Sequence, residues 1–269
     1  MTTQYLELQN GRLAYGEAGS GPLVVRAPSM GDVRGEYRFL IPQLVTAGYR
    51  AVSLDVRGHG ESSTDWSDFS VAAIGSDILA LIRKINAGPA IIIGTSMAAG
   101  AGVWAAAEAP ELISGLVLID PFVRGEGTWS SQLMYTALFA RPWGPAMWLK
   151  YYTTLYPARK PADFNAYAAA LRANLKARGR MEALQHMLKA SKRASEERLP
   201  RVAAPATVLM GSKDRDFKDP EGEAKWVADN LRGTYTMIEN AGHYPHAEMP
   251  EITGPIILSA VEAFHEKQN

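Results

Sequence analysis

Ser96 stands in GTSMAAG (residues 94–100), between the apolar run PAIIIG and an alanine-rich stretch that reads as a helix. In Gly-x-Ser-x-Gly a serine occupies a strained strand-to-helix turn, with its hydroxyl exposed and small neighbours letting strand and helix approach. Gly94 keeps the first small position, and Ala98 replaces the second glycine at the cost of one methyl group. The heptapeptide alone fits an ordinary helix N-cap equally well. Nucleophilic chemistry needs a general base within hydrogen-bond reach and a carboxylate that fixes the tautomer of that base. VLMGSKDRDF sets Asp214 just beyond one apolar run, and MIENAGHYPHAEMP sets His243 just beyond the next. Asp216 and Asp120 are the competing acids, and His246 is a competing base.

Such groups, far apart in sequence, converge only if successive strands end at one edge of a sheet. The chain has the rhythm for this. After a hairpin signal at Asn10-Gly11 come GPLVVRAP, YRAVSLD, PAIIIG and SGLVLID, separated by longer helical patterns. Short, nearly continuous apolar strands alternating with helices predict a mostly parallel central sheet with helices on both faces, an α/β fold. The rhythm stops at Asp120-Pro121 and resumes with PATVLMG at residues 205–211. Residues 1–120 and 201–269 are therefore expected to form the core, and residues 121–200 an inserted helical cap. An insertion leaving the carboxyl end of one strand and returning to start the next lies over the ligand-binding edge of an open sheet.

Composition narrows the function classes. The 28 basic and 28 acidic side chains cancel over 269 residues, so no overall field draws the chain to nucleic acid or to an anionic membrane. The balance is uneven: residues 121–200 hold 13 Lys or Arg against 5 Asp or Glu, a formal +8, which is read as a solvated cap face. Without cysteine there are no disulfides, thiolate metal sites or thiol nucleophiles. Five histidines with no His-Glu-x-x-His give no expected metal site. Gly58 and Gly60 fit neither phosphate-loop pattern, so no cofactor is expected. Neither a signal peptide nor a membrane span is visible, and a cytoplasmic location is the expectation.

LDVRGHGESS, GTSMAAG, GSKDRD and AGHYPHAEMPEI together resemble the α/β-hydrolase fold family, in its serine-nucleophile branch with a helical cap. The resemblance runs from about Gln4 to Phe264 and is weakest in the insertion. It implies Ser96 as nucleophile, His243 as base and Asp214, ahead of Asp216 or Asp120, as acid. Met97 then supplies one oxyanion-hole N–H. His246 is left to local bonds, and His59, Asp55 and Arg57 to fastening a loop. The family's His-Gly after the third strand is replaced by Pro28-Ser29, which leaves Met30 as the second oxyanion donor. For Ser29 two readings stand, a bond within its own turn or a contact with a ligand.

These residues imply hydrolysis of an ester, lactone or thioester of a largely apolar or aromatic acyl compound, a small-molecule substrate. Carbon-carbon bond hydrolysis, a cofactor-free perhydrolase activity, and a receptor-like protein with slow turnover are the alternatives on the same triad. The insertion supplies Trp129, Met134, Tyr135, Phe139, Trp143, Met147, Trp148, Tyr151, Tyr152 and Tyr156 as surface for that substrate, and an arginine nearby is expected to meet a carboxylate.

Overall fold

The structure is a computed structural model that describes residues 2–125 and 129–267. PAIIIG folds as a strand buried on both faces, because its alternate residues serve opposite layers: Ile91 and Ile93 enter one apolar core and Ile92 the other. Each such side chain contributes about 1.5–3 kcal/mol by leaving water. The same two-residue period splits Val24 from Val25 and Ala51 from Val52.

Eight strands share this plan: β1 (Thr3–Leu8), β2 (Gly11–Ala18), β3 (Leu23–Ala27), β4 (Arg50–Leu54), β5 (Ala90–Thr95), β6 (Ile113–Ile119), β7 (Ala206–Gly211) and β8 (Thr234–Ile238). They form one sheet in the order β1-β2-β4-β3-β5-β6-β7-β8. The pairs β1/β2 and β2/β4 are antiparallel and all others are parallel. The hairpin at Asn10-Gly11 is present, with Leu8 opposite Gly11.

Helices α1 (Leu40–Thr46) and α11 (Pro250–Glu266) cover one face through Leu40, Leu44, Ile257, Val261 and Phe264. Helices α2 (Val71–Ile85), α3 (Met97–Glu108) and α9 (Pro220–Leu231) cover the other. Ser70 caps α2 by accepting the Ala73 N–H at 3.2 Å, and Asp219 caps α9 by accepting the Gly222 N–H at 3.0 Å. A short α10 (Pro245–Glu248) precedes α11.

Between β6 and β7 the chain leaves the sheet and forms the helical cap: α4 (Trp129–Leu138), α5 (Gly144–Thr153), α6 (Phe164–Lys176), α7 (Arg180–Lys189) and α8 (Arg193–Glu196). The long helical pattern after residue 162 is divided at Gly179, where φ is +80°. No helix among the described residues is long and apolar enough to cross a membrane.

Candidate active site

Ser96 joins β5 to α3 at φ 57°, ψ −123°. A non-glycine residue held there costs on the order of 1–3 kcal/mol and persists only where its surroundings over-determine it. Three backbone bonds do so: Ser96 N–H donates to Ile119 O at 2.9 Å, and Ser96 O accepts from Ala99 N–H and Phe122 N–H, each at 3.1 Å. At Gly94 a Cβ would lie 2.7 Å from Ala98 O and 2.8 Å from Ala99 Cα. The first turn of α3 thus packs directly on the strand, and only glycine fits. The Ser96 side chain makes no capping bond to α3, so the N-cap reading of this serine does not hold.

His243 follows β8, and its Nδ1–H donates to Asp214 Oδ2 at 2.6 Å. Asp214 Oδ1 accepts the Asp216 N–H at 3.0 Å, which fixes the carboxylate plane. Asp216 itself is 4.0 Å from the same histidine nitrogen, and its carboxylate accepts from Tyr151 OH at 2.5 Å. With Nδ1 committed to Asp214, Nε2 is the ring nitrogen available to Ser96, and both side chains line one cavity. Burial opposes the imidazolium, but the charge and hydrogen bond of Asp214, then the charges of Asp216 and Asp120, outweigh it and move His243 upward. Asp214 moves downward, because His243 overrules the burial that would keep it neutral.

Asp120 accepts the Gly211 N–H at 2.9 Å. Burial first, and the charge of Asp214 next, push it well above the carboxylate range. The donor atoms of Asp120, Asp214 and His243 lie within 4.8 Å of one another, a spacing that could hold a cation. All three residues are already engaged by protein partners: His243 Nδ1 with Asp214 Oδ2, Asp214 Oδ1 with the Asp216 N–H, and Asp120 Oδ1 with the Gly211 N–H.

Beyond β3 the loop carrying Ser29 and Met30 is pinned at each side of Met30. Ser29 N–H donates to Glu36 Oε2 at 2.8 Å, and Gly31 N–H donates to His59 Nε2 at 2.9 Å. An acceptor at Nε2 requires neutral imidazole; burial holds the His59 pKa down to about 4, and Nδ1 lies 3.2 Å from Arg57 O. Asp55, which accepts from Arg34 and from Glu61 N–H, and Arg57, paired with Asp77 at 2.7 Å, fasten the neighbouring loop as expected. Ser29 bonds no atom of its own turn through its hydroxyl; Oγ lies 2.6 Å from Tyr244 OH, and both residues line the cavity. Met30 lines the same wall. Met97 is the first residue of α3, where an N–H has no carbonyl partner within its own helix.

His246 departs from the expectation of local bonds. Its Nε2 is 3.1 Å from Glu36 Oε1 and its ring stacks on Tyr37, because α10 turns it into the core rather than along the surface.

The cavity has a volume of about 290 Å³. Of the aromatic residues expected to face substrate, Tyr135, Phe139, Trp148 and Tyr151 line it. Tyr152 and Tyr156 do not: Tyr152 OH donates to Asp32 Oδ2 at 3.0 Å and lies 2.8 Å from Tyr156 OH. Together with Tyr167 OH, which donates to Asp32 Oδ1, they tie the cap to the loop after β3. Burial first, and Glu36 second, raise the Asp32 carboxyl to about 7. Trp129, Met134 and Trp143 are 79%, 53% and 52% exposed and lie off the cavity. Among the described residues no arginine lines it, and the cation in its wall is Lys192. Phe122, Lys192 and Tyr244 were not identified by the sequence reading, and neither were the supports Asp32 and Glu36. Tyr244 lies next to His243 and Asp32 two residues beyond Met30, so both had a signal nearby.

A model of the alpha/beta hydrolase fold family matches residues 22–250. Monoglyceride lipase of Mus musculus is 28% identical over 249 residues, 87% of this chain and 79% of that protein. Karrikin insensitive 2 receptor IA of Petunia hybrida is 24% identical over 257 residues, 89% of this chain and 90% of that one. The crystal structure of bromoperoxidase from Bacillus anthracis superposes with a TM-score of 0.85 at 15% identity, covering 97% of this chain and 100% of that one.

Proposed function

Because the chain belongs to the alpha/beta hydrolase fold family, we propose that it is a serine hydrolase cleaving an ester, lactone or thioester of a largely apolar or aromatic acyl compound. Ser96, His243 and Asp214 form its triad. His243 Nε2 takes the Ser96 hydroxyl proton as Oγ attacks the carbonyl carbon, and Asp214 stabilises the imidazolium that results. The N–H groups of Met30 and Met97 receive the oxyanion. Collapse breaks the acyl–oxygen or acyl–sulfur bond, and His243 gives its proton to the alcohol or thiol, which departs from an ester or thioester and stays on the acyl chain of an opened lactone. A water deprotonated by His243 then attacks the acyl-enzyme, releases the acid and restores Ser96. Residues 121–200 act as a separate cap unit over the cavity, and the cytoplasm is the proposed site of action.

The carrying observation is Ser96 itself, held in a strained conformation with its side chain off the helix and facing the cavity that His243 shares. The relationship to a lipase supports ester cleavage, and the relationship to a receptor supports a second reading in which ligand binding outlasts turnover. Fluorophosphonate labelling followed by peptide mass analysis separates them. Label is expected on Ser96 and absent from Ser96→Ala. A folded protein that takes no label points to the receptor reading.

A further inference from the structure

Hydrolysis at Ser96 and His243 leaves one charged group of the same cavity, Lys192, without a task. Lys192, just before α8, lines the same cavity as Ser96 and His243, in a wall that also holds the apolar Phe122, Leu138, Phe139 and Trp148. Its Nζ donates to Ala190 O at 2.8 Å, one bond for a group that carries three donors. Among the described residues no carboxylate lies within ion-pair distance of it. Asp216, the one acid that shares the cavity wall, is occupied by Tyr151 OH. The remaining titratable side chains that line the cavity are Tyr135, Tyr151, His243 and Tyr244, none of them a carboxylate.

A largely desolvated ammonium without a counter-ion is costly, and fold stability alone would favour an uncharged side chain there. A ligand that brings the missing anion removes the cost. We propose that Lys192 is a specificity-determining residue that binds a carboxylate of the substrate, so that the preferred substrate is an acyl ester, lactone or thioester whose apolar body ends in a carboxylate. This rests on the hydrolase reading only for the reacting bond; the anion site stands on Lys192 and the cavity. Burial lowers the Lys192 ammonium to about 8, so it is charged at neutral pH and gains further charge when the anion arrives. A cavity of about 290 Å³ suits a single ring or a medium-length chain.

Two paired measurements test the assignment on the full chain. In the first, p-nitrophenyl hydrogen glutarate is compared with p-nitrophenyl pentanoate, which replaces the carboxylate by a methyl group at the same chain length. Wild type is expected to favour the glutarate ester. Lys192→Met is expected to lose roughly 10-fold to 100-fold in kcat/KM for that ester, the worth of one charge-assisted bond, and to keep the pentanoate rate within a few-fold. Lys192→Arg should restore part of the preference. In the second, calorimetry compares phenylacetate with phenylacetamide, needing no turnover. Phenylacetate should bind at least about 10-fold tighter in wild type, and Lys192→Met, shown to be folded by its melting curve, should abolish the difference. Equal binding of acid and amide, absent binding of phenylacetate, or a preference that survives Lys192→Met overturns the proposal. Selective phenylacetate binding with neither ester hydrolysed leaves the anion site standing and refutes the hydrolase reading; hydrolysis of both esters at the same ratio in wild type and variant does the reverse.

Discussion

Asp214 and Asp216 are two residues apart, share one loop and face one histidine, yet their environments give them different work. Asp214 is ionised and bonded to His243 Nδ1 at 2.6 Å, whereas burial raises Asp216, which accepts from Tyr151. Because the acids around it raise His243, its base form emerges as pH climbs above the ordinary histidine range of about 6.5. Hydrolysis of a small ester is therefore expected to keep rising with pH above that range. Asp214→Asn should lower kcat by about 10⁴-fold and move the remaining rise to lower pH, since the charge that favours the imidazolium is gone. Asp216→Asn should move it in the same direction by less and retain most of the rate. Full pH-rate profiles of both variants decide this, and a larger loss in Asp216→Asn would exchange the two roles. At this scale the bond between Asp214 and His243, and the cavity that His243 shares with Ser96, were legible because each residue sits at a strand end beside its own motif. Lys192 and Asp32 were not, because their significance lies in partners distant along the chain: an apolar cavity for one, and Tyr152 and Tyr167 for the other.

The loop between β3 and α1 shows what elements add to residues. Replacing His-Gly by Pro28-Ser29 removes the freedom of glycine at position 29, and the loop is shaped instead by Glu36 at Ser29 N–H and His59 at Gly31 N–H. His59 was legible as structural; that it steadies the segment proposed to donate to the oxyanion was not, since the contact crosses from the loop after β4. The sheet itself was largely readable, because strands buried on both faces must be continuous apolar runs. The cap was readable only as helical and aromatic. Which of its rings faced substrate depended on packing angles between helices that no local pattern encodes, and Tyr152 and Tyr156 turned to Asp32 instead. His59→Ala is expected to loosen Met30 and lower kcat with KM little changed, by at most the 10²-fold to 10³-fold typical of one lost oxyanion donor. His59→Gln, whose Oε1 can accept the Gly31 N–H, should restore much of the rate. Steady-state kinetics on one neutral ester reads the split, and a fall confined to KM, or no rescue by Gln, would remove His59 from this positioning role.

Over the whole molecule, Asp32 and His59 make the two flanks of that loop titrate against each other. Asp32 is raised to about 7 when folded, so between pH 4 and 7 the folded chain keeps a proton that the unfolded chain has released, and stability is lost as pH rises through that window. His59 is lowered to about 4, so between pH 6.5 and 4 the unfolded chain takes a proton that the folded chain refuses, and stability is lost as pH falls. Each effect is on the order of 3–4 kcal/mol, opposite in sign over nearly the same range, and together they cancel much of the slope either would impose alone. Other groups titrate in this window as well, so the informative quantity is each variant's stability minus that of wild type. For Asp32→Asn this difference should become more favourable as pH rises from 4 to 7, because the variant no longer loses what wild type loses. Any constant penalty for mismatched bonds to Tyr152 and Tyr167 shifts the curve without changing its slope. For His59→Gln the difference should become more favourable as pH falls from 6.5 to 4, the mirror image. Urea unfolding across this range, on both single variants and the double variant, gives the three difference curves. Opposite slopes in the singles and near cancellation in the double are expected, whereas flat single-variant curves would mean that neither buried group titrates differently in the folded chain.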